Sequence, residues 1–257
     1  MLRLITAGLL FLCVPALAEA QTLLDAKADV GAQKTKDLST NELLQALGKG
    51  AILLDARPRK EFAISHIPGA VNVAHTPGMP PHRYVSDVAE IGRRLKGDKA
   101  KAVVLYCNGP TCGKSRRLAE ELIKEGYSDV QRYQLGAPGW RLFGGAAQTL
   151  PEALPHLALD KTAVWVDARP QAAFAAGSIA GARNIPAVQL GSARETGVML
   201  DAKKDGRLPM EDHNARIIVF SSSAAEARAV ADAIFGETFH NVSFVAEPFA
   251  TVSEALK

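Results

Sequence analysis

The chain has 257 residues, of which 47% are apolar and 22% charged. That is the composition of a globular protein with room for one large domain or two smaller ones, and it excludes a disordered or fibrous chain. Thirty basic residues against 27 acidic ones leave a formal charge of +3. No Lys/Arg run is interleaved with aromatics, so a nucleic-acid groove is not expected.

In chain order, Met1-Leu2-Arg3, the uncharged stretch Leu4 to Leu17 and then Ala18-Glu19-Ala20 read as the basic, apolar and cleavage regions of a signal peptide over residues 1–20. The competing reading is a membrane anchor, but the uncharged stretch falls short of the roughly 20 residues a span requires. Leu10-Phe11-Leu12 lacks the small residues that precede a lipidated cysteine, so Cys13 is expected to leave with the leader. The expected location is outside the inner membrane, in the periplasm, with no stable membrane span after cleavage. Two cysteines then remain, Cys107 and Cys112, in a compartment where thiols tend to oxidise. Five positions apart, they can do local chemistry, pair with each other or sit inert.

Residues 21–36 form an N-terminal extension. Ser39 and Glu42 then make a capping box ahead of Leu43, Leu44 and Leu47, and Gly48 and Gly50 end that helix. Buried strands are predicted over 51–54, 102–106 and 130–135, with a helix over 114–124 whose Leu118, Leu122 and Ile123 share a face. Alternating helices and continuous apolar strands predict an α/β domain with a mainly parallel sheet flanked by helices.

The chain also repeats itself. Ala51-Ile-Leu-Leu-Asp55-Ala-Arg57-Pro58 returns as Ala163-Val-Trp-Val-Asp167-Ala-Arg169-Pro170, and 11 of the 23 positions from 51 to 73 match their partners 112 residues later. A period this long means duplicated domains, because solenoid repeats run roughly 20 to 50 residues. Pro151, Pro155 and small residues over 144–159 mark a linker in its early part. Two domains are therefore expected, at 37–148 and 149–257.

Cys107 ends the strand Val103-Val-Leu-Tyr106 and opens a polar loop, Asn108-Gly-Pro-Thr-Cys112-Gly-Lys-Ser115, that leads into a helix. Ligands bind at this edge of open α/β sheets. Loop N–H groups and the positive helix end can surround an anion or a thiolate and make the cysteine nucleophilic. Lys114, Arg116 and Arg117 would add positive potential. Elsewhere a free cysteine is by default a small buried residue, and Cys112 can resolve an intermediate on Cys107, pair with it or merely occupy the loop. Two thiolates without a third and fourth ligand fall short of a zinc site.

Asp55-x-Arg57, Glu61-Phe62, His66-Ile67-Pro68-Gly69-Ala70, Tyr106-Cys107, Tyr127, Leu135-Gly136 and Trp140 resemble the rhodanese family over about residues 38 to 143, and the mirrored block extends the likeness to about 250. The resemblance implies a sulfurtransferase. Cys107 would take a sulfane sulfur from an anionic, thiosulfate-like donor, become a persulfide and pass it to a thiol or cyanide-like acceptor, with Asn108 to Ser115 binding the donor. No metal or organic cofactor is implied. Ser115 stands eight positions after Cys107, where the family's shorter loops close about two residues earlier, which leaves donor preference open. Phosphatase and arsenate-reductase relatives carry an arginine six positions after the cysteine, and Gly113 stands there instead.

Asp55 and Arg57 recur as Asp167 and Arg169, where no cysteine follows, so structural duty is expected of them. His66 is expected to fix a loop by hydrogen bonding, and His75 and His82 to be solvated. The matching strand of the second copy, Ile217-Ile-Val-Phe220, ends at Ser221, which cannot form a persulfide. From Ser221 to Gly236 is 15 positions, against 19 from Cys107 to Gly126. A serine hydrolase lacks both a G-x-S-x-G elbow and identifiable partners. The second copy is expected to cover one face of the first and wall one side of its cleft. The alternative function is a non-turnover module of the secreted compartment: a thiol redox protein, a sulfur carrier or a protein-binding scaffold.

Overall fold

A computed structural model describes residues 23–28, 31, 34–73, 88–191 and 196–257. The proposed leader, and the loop carrying His75 and His82, lie outside the described residues. Two five-stranded sheets follow one another along the chain. The first holds β1 (Lys36–Asp37), β2 (Ile52–Asp55), β3 (Val71–Asn72), β4 (Val103–Tyr106) and β5 (Val130–Tyr133), in the order β1-β5-β4-β2-β3. The second holds β6 (Ala147–Thr149), β7 (Val164–Asp167), β8 (Arg183–Asn184), β9 (Ile217–Phe220) and β10 (Val242–Val245), in the order β6-β10-β9-β7-β8. Every described pairing within the sheets is parallel. The α/β duplication expected from the repeat is therefore the architecture.

The central strands are apolar on both faces because helices cover both. On one face of the first sheet, Leu54, Val103, Leu105 and Val130 pack with Ile91 of α3 (Val88–Arg94) and with Leu118 and Leu122 of α4 (Gly113–Lys124). On the other, Leu53, Val104, Tyr106 and Tyr133 meet Leu43 of α1 (Thr40–Gly48) and Trp140. The capping box of α1 is present: Glu42 N donates to Ser39 Oγ (3.2 Å) and Ser39 N donates to Glu42 Oε2 (2.8 Å). In the second domain, α8 (Gly197–Lys204) and α9 (Ala224–Gly236) cover one face, and α6 (Leu154–Leu157) and α10 (Phe249–Ala255) cover the other.

Two expected segment bounds shift. Lys36, assigned to the N-terminal extension, already pairs with Gln131 at the edge of the first sheet. The stretch 144–159, expected to begin as a linker, instead supplies β6, which pairs with β10, and then α6. Pro151 and Pro155 start helical turns, a position where a missing N–H costs nothing. No described helix is long and apolar enough to cross a membrane.

The domains meet along α2 (Arg59–Ile64). Ala63 of that helix is buried in a core cluster of the second domain, Leu150 N donates to Ala63 O (2.8 Å), and Arg59 makes two bonds to Glu152 (2.8 and 2.9 Å). His66 exchanges backbone bonds with Gln148 (2.9 and 2.8 Å), while its Nδ1 lies 2.8 Å from Phe62 O and its ring stacks on Phe62. The second copy thus packs against α2 and the His66 turn of the first.

Burial pushes His66 down to about 4, against the helping hydrogen bond to Phe62. Its folded-state pKa is depressed, so between pH 6.5 and 4 the unfolded chain binds more protons and stability falls as the pH falls. That loss amounts to roughly 3 kcal/mol across the window. Urea midpoints measured at pH 7.5 and 4.5 should fall much less in His66→Gln than in the parent chain.

Candidate functional site

Asp55 and Asp167, with Arg57 and Arg169, form a matched pair of buried ion pairs. Arg57 Nε donates to Asp55 Oδ1 and Oδ2 (both 3.0 Å) and Nη2 to Oδ2 (2.6 Å), and Nη2 also reaches Ser65 O. Arg169 repeats this on Asp167, its Nη2 reaching Gly177 O. Asn72 and Asn184 complete both copies by donating to the backbone oxygens of these residues. Because the network is duplicated where there is no cysteine, it clamps the turn after β2 and after β7. Tyr106 of β4 lies beside the clamp, its ring centroid 5.5 Å from the Arg57 guanidinium carbon, and its hydroxyl accepts from Ile67 N at 3.1 Å.

Cys107 follows β4 at its carboxyl end and is 2% exposed. The loop turns back at once, with Gly109 at φ +104° and Cys112 N donating to Gly109 O (3.1 Å), and α4 begins at Gly113 with Cys112 as its N-cap. The side chain of Cys112 makes no capping bond to α4, and the positive end of the helix dipole lies at this loop. Cys107 and Cys112 are joined by a disulfide across this turn, with their Cα atoms 6.2 Å apart. Of the three roles the spacing left open to Cys112, the structure shows pairing.

The other loop residues divide by exposure. Asn108, Pro110, Thr111, Gly113 and Lys114 are exposed, and Asn108 Nδ2 donates to Glu61 Oε2 of α2 (2.5 Å). The helix that docks the second domain therefore also holds the loop. Ser115 is buried, its Oγ accepting from Arg132 Nη2 (3.3 Å), so it supports the loop from within rather than lining its open rim. Arg117 turns toward Glu121 on its own helix (2.8 and 2.9 Å), whereas Arg116 is exposed.

Of three supporting residues, Arg132 and Gln134 carry no recognisable sequence signal, and Gly136 is among those that carry the family resemblance. In the ladder Arg132 sits beside Leu105 and Tyr133 beside Tyr106, so Arg132 and Gln134 continue the α4-facing side on which Leu105 and Cys107 lie. Arg132, only 2% exposed, donates to both Ser115 and Gln134 Oε1 (2.8 Å). Burial, then the neighbouring Arg116, lowers its pKa from the usual arginine value, and a guanidinium stays charged even so. A buried cation one rung below the cysteine favours the thiolate. In a Cys112→Ser background, Arg132→Met should slow alkylation of Cys107 severalfold at neutral pH and move the rate–pH midpoint upward. The third residue, Gly136 at φ +62°, packs against the Cys107 carbonyl, whose oxygen also accepts from Ala137 N (3.0 Å).

In the second domain Ser221 occupies the place of Cys107. It is fully buried and its Oγ donates to Glu226 Oε2 (2.8 Å). Its helix α9 begins three residues on, at Ala224, while α4 begins six residues after Cys107. The positive-φ residue after α9 is Thr238 at +69°, the counterpart of Gly126 at +89°, and Gly236 is still helical. The span comparable to 19 is therefore 238 − 221 = 17, not 15, and the residues missing from the second copy are those of the loop itself.

The model of the rhodanese-like domain matches residues 39–142 and again 150–253. The chain belongs to the rhodanese-like domain family. A thiosulfate:glutathione sulfurtransferase of Saccharomyces cerevisiae is 28% identical over 114 residues, covering 42% of this chain and 78% of that protein. The HTH-type transcriptional regulator Rv0324 of Mycobacterium tuberculosis is 30% identical over 120 residues, covering 46% of this chain and 47% of that protein, so the match takes in less than half of the latter. Among solved structures, the 3-mercaptopyruvate sulfotransferase SseA of Escherichia coli is 22% identical, with a TM-score of 0.35, covering 82% of this chain and 98% of that one. Thiosulfate sulfurtransferase of Pseudomonas aeruginosa is 21% identical, with a TM-score of 0.36, covering 83% of this chain and 41% of that one. In this rhodanese-like chain each match takes in four of the five strands of one sheet, leaving out the edge strands β1 and β6, and only the first contains cysteines.

Proposed function

We propose that the chain is a sulfurtransferase in which reduced Cys107 accepts a sulfane sulfur from an anionic, thiosulfate-like donor and yields it to a thiol or cyanide-like acceptor. The observation that carries this reading is the position of Cys107, at the carboxyl end of β4 and ahead of the uncapped N-terminus of α4. There the thiolate and the persulfide that follows it are stabilised by the positive end of the helix dipole, with Arg132 adding positive charge. The yeast relative, a thiosulfate:glutathione sulfurtransferase, supports the same substrate class. The Cys107–Cys112 bond has to be reduced before the chemistry starts. On the reading of residues 1–20 as a leader, we place the chain in the periplasm, which amino-terminal sequencing of the exported protein checks.

The test is thiocyanate formation from thiosulfate and cyanide by pre-reduced Cys112→Ser protein, in which Cys107 has no neighbouring thiol to pair with. Turnover at a rate proportional to protein concentration is expected; no thiocyanate above the protein-free control overturns the reading.

A further inference from the structure

We infer that Cys112 resolves the Cys107 persulfide, releasing hydrosulfide, so that the chain reduces sulfane sulfur to sulfide at the expense of an external dithiol. This rests on the persulfide reading above and goes beyond it, because it names the fate of the sulfur and the class of the electron donor. The bond that such a step would form is the one observed, between Cys107 and Cys112. A Cα separation of 6.2 Å lies inside the span that disulfides bridge, and the Cys112 N–H bond to Gly109 O shapes the turn that brings the two together. Cys112 is the N-cap of a twelve-residue helix and its side chain makes no capping bond, so once the disulfide is reduced its sulfur stands in a position that favours a thiolate. The second copy shows what the extra length does: its loop reaches its helix three residues sooner, and no cysteine follows Ser221.

The steps balance. Cys107 thiolate attacks the outer sulfur of thiosulfate, the donor's S–S bond breaks, and sulfite leaves with the electron pair. Cys112, having given up its proton to the outer sulfur of the persulfide, then attacks Cys107 Sγ as the thiolate, and the bond from Sγ to the outer sulfur breaks with its pair going to that sulfur, which departs as hydrosulfide. Two thiols have been oxidised to a disulfide and one sulfane sulfur reduced to sulfide. Restoring the thiols takes two electrons, supplied by a dithiol. Its first thiolate attacks Cys112, which is partly exposed whereas Cys107 is buried, and expels Cys107 thiolate; its second thiol closes the reductant's own disulfide and frees Cys112.

A single turnover tests this. Pre-reduced protein, freed of reductant, is mixed with excess thiosulfate. The parent chain should release about one sulfite and one sulfide per chain and lose both free thiols. Cys112→Ser should release the sulfite, no sulfide, and retain the sulfur on Cys107. The inference is overturned if the parent chain releases sulfite without sulfide, or carries the sulfur on Cys112. If Cys112→Ser and the parent chain both release no sulfite, the persulfide reading itself has failed, which separates the two claims.

Discussion

Cys107→Ser is expected to abolish thiocyanate formation, with a loss exceeding about a thousandfold, as removal of a covalent nucleophile does. A hydroxyl in the same pocket is far less acidic than a thiol, and neither the N–H groups at the α4 terminus nor Arg132 can make an alkoxide of it at neutral pH. The second domain carries this substitution naturally. Ser221 stands at the end of β9, buried and bonded to Glu226, on a loop three residues shorter. Ser221→Ala is accordingly expected to leave the rate within about twofold, losing only a hydrogen bond of about 1 kcal/mol. A comparable loss in both variants would show that Ser221 takes part in the chemistry and would contradict the assignment of the reaction to the first domain alone.

Gly136→Val should be the most damaging single change outside the loop. Gly136 follows β5 in the left-handed region at φ +62°, and a Cβ there would be driven into the Cys107 carbonyl and to within 2.6 Å of Gly109 N. Both obstacles are backbone atoms of the loop, so no rotamer change relieves them. A β-branched residue at that φ adds conformational strain, and the combined destabilisation is expected to be roughly 3–5 kcal/mol. In a urea titration the transition should move to markedly lower denaturant, and any folded fraction should show slowed alkylation of reduced Cys107, because the loop must shift. Gly69→Ala provides the comparison: its φ of +81° is equally unusual, but an added Cβ meets nothing within 4 Å, so a smaller loss of about 1 kcal/mol is expected.

Much of the fold is legible in the chain because it was duplicated. β2 and β7, β3 and β8, and β5 and β10 are all 112 residues apart, the offset of the sequence match. β4 and β9 are 114 apart, since the second copy has two more residues before that strand and two fewer after it. Reading from Cys107 to the next glycine misplaced the end of α9, because Thr238 takes the left-handed turn that Gly126 takes in the first copy. Conformation there is imposed by packing, which a glycine search does not detect. The segment 144–159 looks like a linker because its prolines and small residues suit one. β6 is only three residues long, and its pairing with β10, nearly a hundred positions away, leaves no local mark.

The cysteine and its loop are legible for a local reason: a strand, a glycine-bearing turn and a helix start are contiguous. Their supports are not contiguous. Arg132 reaches Ser115 through strand register, Gly136 reaches Cys107 by close approach of two backbones, and Glu61 reaches Asn108 from a helix 47 positions earlier. Each depends on distances across the fold that periodicity and composition do not encode. The exception is the Asp55–Arg57 clamp, whose recurrence at Asp167 and Arg169 marked it as structural before any contact was known.

The most direct measurement is the mass of the peptide containing residue 107 after pre-reduced Cys112→Ser protein has been exposed to thiosulfate and digested without reductant. One added sulfur atom on Cys107, absent from Cys107→Ser and removed by cyanide with formation of thiocyanate, is the predicted result. An unmodified Cys107, or sulfur bound elsewhere in the chain, would contradict it.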